Sequence, residues 1–332
     1  MATIAPFRLG IIGAGRLSSR RIYPCLHYID NLLLAAVCDI DVDRTSLMAQ
    51  KFGGQHVFTD HRRMVAEADL DGVVVCTGPR QHETLAIEIM EAGLPVYTEK
   101  PPAVTAAGTR RMLETSESTG KLCMTAYKKR YAPAYMKAKT IVDSSDFGPP
   151  HLLSIDYASG AFSNNPDDPQ SWFLLDFTGH IIDLARFLFG EVAEVCAWSR
   201  GQEAYAVSMR FANGAVGTLA LTCRRDYAVS TEKVELTGGQ GRMVTVSNSV
   251  ELTYWQDTAI KAWHAPSFST AGGDSLVETG FQGELAAFVA ACRGGPEPPS
   301  AIASSYRTMV LYEAIKESAE AGGRVVAVSP TV

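Results

Sequence analysis

The stretch FRLGIIGAGRLSSRRIYPCL, Phe7–Leu26, decides the fold. An apolar run over residues 7–13 breaks at Gly13-Ala14-Gly15 and passes into a helical pattern near residues 16–30. Gly13, Gly15 and Ser18 fill the three positions of a G-x-G-x-x-G turn. In such a turn the first glycine permits the tight bend and the second lets a pyrophosphate approach the backbone. The helix start adds N–H donors and the positive end of a dipole, so Arg16 and Leu17 join the two glycines as candidate contacts. Ser18 stands where a third glycine normally allows close packing of helix on strand, and a small side chain is tolerable there. Glycines also mark plain turns, so the weight lies in the context. An apolar strand precedes, a helical pattern follows, and Asp39 ends the next apolar run, 26 residues beyond Gly13. A carboxylate at that place accepts hydrogen bonds from both ribose hydroxyls and repels a 2′-phosphate. The expected cofactor is therefore NAD(H) rather than NADP(H), with Arg44 too far into the next helix to reverse the choice.

Outward from this turn the first half keeps one rhythm. Strand patterns fall at residues 7–13, 32–39, 56–58, 71–78, 95–100 and 121–127, with helical patterns near 16–30, 43–52, 60–68, 81–92 and 105–119. Near-continuous apolar strands alternating with helices predict a doubly wound parallel sheet over residues 1–127, with its ligand crevice at the carboxyl ends of the strands. Beyond about residue 150 the rhythm changes. A long helical pattern, FTGHIIDLARFLFG, precedes alternating runs such as AYAVSMRF, AVGTLALTC, EKVELTG, RMVTVS and VELTYW. Period-two alternation with short turns predicts a large, open, mainly antiparallel sheet in an α+β domain over residues 128–332. FQGELAAFVAACRGG and SSYRTMVLYEAIKESAEAGG read as two amphipathic helices ended by glycines, and these last helices are expected to be able to pack back on the first domain.

The totals bound the function. A chain of 332 residues, 46% apolar and 20% charged, is long enough for two globular domains. A net charge of −6 gives no global field for nucleic acid, and the basic pairs are scattered among acids. The seven cysteines form no C-x-x-C pair and several sit in apolar runs, so free thiols in a reducing compartment are expected. The histidines show no metal-ligand spacing, and no metal is expected. No apolar run reaches the ~20 residues of a membrane span, and the N-terminus has no secretory pattern, so the expected location is the cytoplasm.

LPVYTEKPPAV, residues 94–104, ends an apolar strand on Glu99 and Lys100 and then locks the backbone with Pro101 and Pro102. A lysine there is either a surface charge at a turn or a group being aimed. Asp176, His180 and Asp183 follow at i, i+4 and i+7, a spacing that places them on one helix face. His180 among Ile181, Ile182 and Leu184 would, by itself, read as a core histidine. Taken with GIIGAGRL, CDID, CTGPRQH and EAGLPVYTEKP, however, these residues resemble the Gfo/Idh/MocA family, the glucose–fructose oxidoreductase and inositol dehydrogenase-like enzymes, over nearly the whole chain.

The resemblance implies specific roles. Lys100 would lie beside the nicotinamide at the end of a sheet strand, and Asp176 with His180 would complete the catalytic group. Thr77, Gly78, Pro79, His82 and Glu99 would join Gly13, Gly15, Arg16, Leu17, Asp39 and Lys100 around the dinucleotide. Lys128, Arg130 and Trp172 would join Lys100, Asp176 and His180 around the substrate. Arg80 and the run DDPQSWFLLDF depart from the family pattern, the second at a segment that shapes the pocket. The implied activity is NAD(H)-dependent hydride transfer on a secondary hydroxyl or ketone of a sugar, polyol or inositol-like substrate. Two alternatives stay open: a non-catalytic dinucleotide-binding regulator, and an oxidoreductase whose tightly bound NAD(P) is recycled. Val207, Met209, Leu219, Leu221, Tyr254 and Trp255 are read as an exposed sheet face, which with the family's habit predicts a homodimer or homotetramer formed through the C-terminal sheet.

Overall fold

A computed structural model describes residues 5–160, 167, 172–226, 229–264 and 275–329. The chain forms two compact units: Met1–Tyr127 with Phe281–Tyr306, and Lys128–Gly280 with Arg307–Val332. The run DDPQSWFLLDF is only partly covered, because residues 168–171 lie outside the described residues.

In unit 1 six strands form one parallel sheet. They are β1 (Phe7–Ile12), β2 (Leu32–Cys38), β3 (His56–Phe58), β4 (Gly72–Val75), β5 (Val96–Thr98) and β6 (Cys123–Thr125), in the order β3-β2-β1-β4-β5-β6. Side chains of β1, β4 and β5 are buried almost throughout, as expected of strands covered on both faces. The strand order reverses between β1 and β4, which sets a switch-point crevice at their carboxyl ends. The connecting helices are α1 (Tyr23–Cys25), α2 (Val42–Phe52), α3 (His61–Glu67), α4 (Pro79–Glu91) and α5 (Ala106–Thr119). Asp41, Asp60 and Thr105 cap α2, α3 and α5 by accepting backbone N–H bonds.

The helix expected near residues 16–30 is irregular. A π-helical turn over Ser18–Ile22 runs into the three-residue α1 and then a 3-10 turn at Leu26–Tyr28. Pro24 is the physical reason: it has no N–H to donate, so the regular hydrogen-bond ladder cannot run through it.

Unit 2 contains α6 (Pro133–Val142), α7 (Gly179–Phe189), the short α8 (Ser275–Glu278), and a nine-stranded sheet. Its strands are β7 (Pro150–Ala158), β8 (Val192–Arg200), β9 (Ala204–Phe211), β10 (Val216–Thr222), β11 (Thr231–Gly238), β12 (Met243–Ser247), β13 (Glu251–Gln256), β14 (Ala259–His264) and β15 (Val326–Ala327). The order is β14-β13-β12-β11-β7-β10-β9-β8-β15. Every pairing is antiparallel except β7 with β10. The order is not that of a simple meander, because β7 inserts between β10 and β11. Helix α9 (Phe281–Cys292) belongs to unit 1, and the division falls at Tyr306 and Arg307, inside α10 (Ile302–Glu320).

The face of the large sheet expected to be bare is also corrected. Val207, Met209, Leu219, Leu221 and Tyr254 are buried, on the side where α6 packs against β12 and β13 and α7 against β7. Their odd–even partners face outward, with Leu152 45%, Trp198 54% and Val216 49% exposed. Alternation shows that a strand has two faces but not which one a helix will cover. Trp255, 39% exposed, is the one residue of that set on the open side.

Candidate active site

The glycine turn is built as a cradle. Gly13 has φ +111°, and a Cβ added there would lie 2.1 Å from the Cys76 carbonyl oxygen. Only glycine permits that approach of β1 to β4. A Cβ on Gly15 would meet nothing within 4 Å, so this position opens to space. Ser18 is fully buried and its hydroxyl donates to the Gly15 carbonyl at 3.1 Å, which explains why serine replaces the third glycine: the hydroxyl staples the turn it follows. Arg16 and Leu17 are exposed immediately beyond Gly15. Asp39 leaves β2 with both carboxylate oxygens engaged, accepting Ala14 N–H at 2.6 Å and Asp41 N–H at 3.0 Å. Beneath the turn, the Tyr23 hydroxyl reaches Gly13 O, and burial pushes the phenol up, with Cys76 and Asp39 adding to the shift.

The loop after β4 carries Thr77, Gly78 and Pro79. Gly78 is the N-cap of α4 and Pro79 its first residue, where a missing N–H costs nothing. Thr77 Oγ1 is buried and meets no hydrogen-bond partner. His82, 1% exposed, bridges two loops: Nδ1 lies 2.7 Å from Pro101 O and Nε2 3.1 Å from Thr77 O. This histidine thus ties the end of β4 to the turn that follows β5.

That turn holds the lysine. Glu99 N–H donates to Val75 O at 2.9 Å, extending the β4–β5 pairing, and the Glu99 carboxylate accepts Lys100 N–H at 3.1 Å. Glu99 is buried, Lys100 is half-buried, and Pro101, Pro102 and Ala103 are buried behind it. The Lys100–Pro101 peptide is cis. Below, Tyr97 packs its ring on Phe288 of α9, and its phenol is pushed well up by burial, then by Glu284 and Glu99. Glu284, fully buried, was not anticipated from sequence. Its signal is an acid in the mainly apolar run of FQGELAAF.

In unit 2, Asp176 lies in a run of turns, residues 173–178, that leads into α7, and His180 is the second residue of that helix. The one-turn spacing survives, but Asp176 precedes the helix rather than belonging to it. Asp176 is buried and His180 half-buried. Asp183 is fully buried, where Arg130 donates to it through Nε at 2.7 Å and Nη2 at 2.6 Å. Thr308 adds a third bond at 2.8 Å, and Arg186 links Thr308 to Glu191. Arg130, expected among the substrate contacts, therefore anchors α7 to the 3-10 turn Lys128–Tyr131. Lys129 in the same turn pairs with buried Glu232 at 2.5 Å, while Lys128 and Trp172 are half-buried. Burial by itself would raise Glu232, but the Lys129 ammonium and hydrogen bonds from Lys129, Tyr135 and Ser249 outweigh it and hold the carboxyl below its usual range.

The unit 1 residues fit a dinucleotide: Gly15 opens to space, Thr77 Oγ1 is a buried hydroxyl in want of a partner, and Asp39 retains acceptor capacity. Among the described residues no three His, Cys, Asp or Glu side chains are grouped to hold a metal ion, and no helix is long and apolar enough to cross a membrane.

Comparison with known proteins agrees with this geometry. Residues 7–127 match the oxidoreductase family with an NAD-binding Rossmann fold, and residues 135–244 match the GFO/IDH/MocA C-terminal domain. A myo-inositol 2-dehydrogenase of Thermotoga maritima is 28% identical over 255 residues, 71% of this chain and 74% of that protein. An inositol 2-dehydrogenase of Acidothermus cellulolyticus is 29% identical over 261 residues, 74% of this chain and 75% of its own. Among solved structures, a probable dehydrogenase from Thermotoga maritima superposes with a TM-score of 0.82 at 25% identity, covering 98% of this chain and 100% of that one. A levoglucosan dehydrogenase in complex with NADH and levoglucosan, at 23% identity, shares the fold with a TM-score of 0.85 over 97% of this chain and 99% of that one.

Proposed function

The chain belongs to the Gfo/Idh/MocA oxidoreductases, with their NAD-binding Rossmann fold, and from that premise we propose how it works. It acts as an NAD(H)-dependent dehydrogenase on a secondary hydroxyl of an inositol, sugar or related polyol, or reduces the matching ketone. The relatives named for inositol support this substrate class. NAD, when bound, supplies the hydride acceptor. Gly13, Gly15, Arg16, Leu17, Thr77, Gly78 and Pro79 hold the dinucleotide, while Asp39 selects NAD(H) over NADP(H) through its ribose hydroxyls. His82 and Glu99 act by fixing the turn that aims Lys100.

Lys100 polarises the reacting oxygen and shares its proton. His180, oriented by Asp176, receives the hydroxyl proton as hydride leaves carbon. Lys128 and Trp172 are the further substrate contacts, and Arg130 serves the site by anchoring α7, which carries His180. The carrying observation is Lys100 itself: a lysine at the carboxyl end of β5, its amide held by Glu99 and its following turn held by His82. Replacing Lys100 with Met is expected to lower turnover by about a hundredfold to ten-thousandfold while NADH still binds. Reduced-nicotinamide absorbance over a panel of inositols, sugars and polyols reads this, and a Lys100→Met enzyme of unchanged turnover would refute it.

A cytoplasmic location belongs to the same proposal. All seven are free thiols, which supports a cytoplasmic protein. The open sheet face bearing Leu152, Trp198 and Val216 supports a homodimer or homotetramer through that sheet. A monomeric mass in light scattering would overturn the assembly.

A further inference from the structure

The exit of β2 contains more than Asp39. CDIDVDR, Cys38–Arg44, places three carboxylates and a single cation in one turn: Asp39, Asp41, Asp43 and Arg44. The turn is rigidly made. Asp41 is the N-cap of α2, and its Oδ1 accepts the amides of Asp43 and Arg44, both at 3.1 Å. Its own amide donates to Asp39 Oδ1 at 3.0 Å, so the two carboxylates are held in series. Buried Thr45 fastens the same turn by donating to Asp41 O at 2.6 Å. The remaining oxygen of Asp41, Oδ2, holds Arg44 Nε at 3.0 Å. The Arg44 side chain is 63% exposed, so the guanidinium is the more exposed member of a pair whose carboxylate is held by two amides.

Resting on the NAD reading of this site, we propose that Asp41 is a second determinant of cofactor choice. It acts in two ways. It sequesters Arg44, whose guanidinium reaches back from α2 to Asp41 at 3.0 Å and so lies nearer the turn than its place in the sequence suggests, and it adds a fixed negative charge beside Asp39. A guanidinium is well shaped to receive a phosphate, bidentately and with charge-assisted hydrogen bonds. With Asp41 occupying it, the turn presents a net charge of −2 (three carboxylates and one guanidinium) to a group that itself brings nearly two negative charges. Asp39 excludes NADP(H) by repulsion, and Asp41 removes the neighbour that would compensate.

The substitution Asp41→Asn tests this cleanly, because asparagine keeps the N-cap while removing the charge. Isothermal titration calorimetry with NADH and NADPH would compare wild type, Asp41→Asn, Asp39→Asn, the double variant, and Asp39→Asn/Asp41→Asn/Arg44→Ala. The ratio of NADPH to NADH affinity is expected to rise by up to about fivefold each time Asp41 is replaced, the range open to an exposed charge pair. Arg44→Ala should remove most of that gain. An affinity ratio that Asp41→Asn leaves unmoved, on both the wild-type and the Asp39→Asn backgrounds, overturns the proposal. A gain that survives Arg44→Ala overturns the sequestering role of Asp41. The NAD reading fails separately, by a wild-type protein that favours NADPH or takes up neither nucleotide.

Discussion

Gly13 and Gly15 are spelled alike and do different work. At Gly13 a side chain would collide with the Cys76 carbonyl and would also have to adopt φ +111°. At Gly15 there is room for a methyl group, so what glycine preserves there is space for a ligand. The two alanine variants should therefore separate. Gly13→Ala is expected to lower the melting temperature of the ligand-free protein, since it forces β1 from β4. Gly15→Ala should leave that temperature nearly unchanged and weaken NADH binding by about tenfold or more, as a methyl group intrudes where the pyrophosphate meets backbone. Thermal melts without ligand and NADH titrations distinguish them, and equal melting losses in both variants would refute the division. Ser18 belongs with Gly15: its hydroxyl bonds the Gly15 carbonyl, so the side chain that replaces glycine also steadies the loop.

Short elements carry the chemistry and are pinned from outside themselves. The turn after β5 is held by its own Glu99 and by His82 of α4. Helix α7 is fixed by Arg130, which donates two charge-assisted bonds into a fully buried Asp183. The next residue back, Lys129, reaches a different element and pairs with Glu232 of β11. Adjacent cations of one 3-10 turn thus anchor α7 and β11, which fixes the turn's own orientation and with it Lys128. Removing one member of such a pair strands a buried charge, which costs more than the intact pair contributes.

The molecule as a whole reports on its halves unequally. All four tryptophans, Trp172, Trp198, Trp255 and Trp263, lie in unit 2, so tryptophan fluorescence follows that unit alone. The buried Glu232 carboxyl is held below its usual range against the burial that would raise it, by the Lys129 ammonium and by hydrogen bonds from Lys129, Tyr135 and Ser249. A depressed folded-state value contributes stability that is fully present above the unfolded value of about 4.3 and is lost as pH falls through the folded one. The urea midpoint read by tryptophan fluorescence should accordingly drop as pH falls from about 5 toward 3. In Lys129→Met the midpoint is expected to be lower near neutrality, with a shallower fall on acidification. Parallel pH profiles for the two proteins would refute the assignment to this pair.

Much of this was local and so could be read along the chain. Strand and helix periods, the glycine turn, the acid at the end of β2 and the lysine before two prolines depend on neighbours within a few residues. Those features determined a parallel sheet followed by an antiparallel one and a dinucleotide turn, while the candidate catalytic side chains came from the resemblance to a family. The rest depends on residues far apart. Arg130 and Asp183 are 53 positions apart, and nothing near either foretells that one neutralises the other. The insertion of β7 between β10 and β11, and the choice of sheet face that α6 and α7 cover, are likewise settled by long-range pairing. Glu284 comes beside Tyr97 of β5 only because α9 returns to unit 1 after β7 to β14 of the large sheet. Periodicity fixes what each segment can bury, whereas only the packed chain decides against what it is buried.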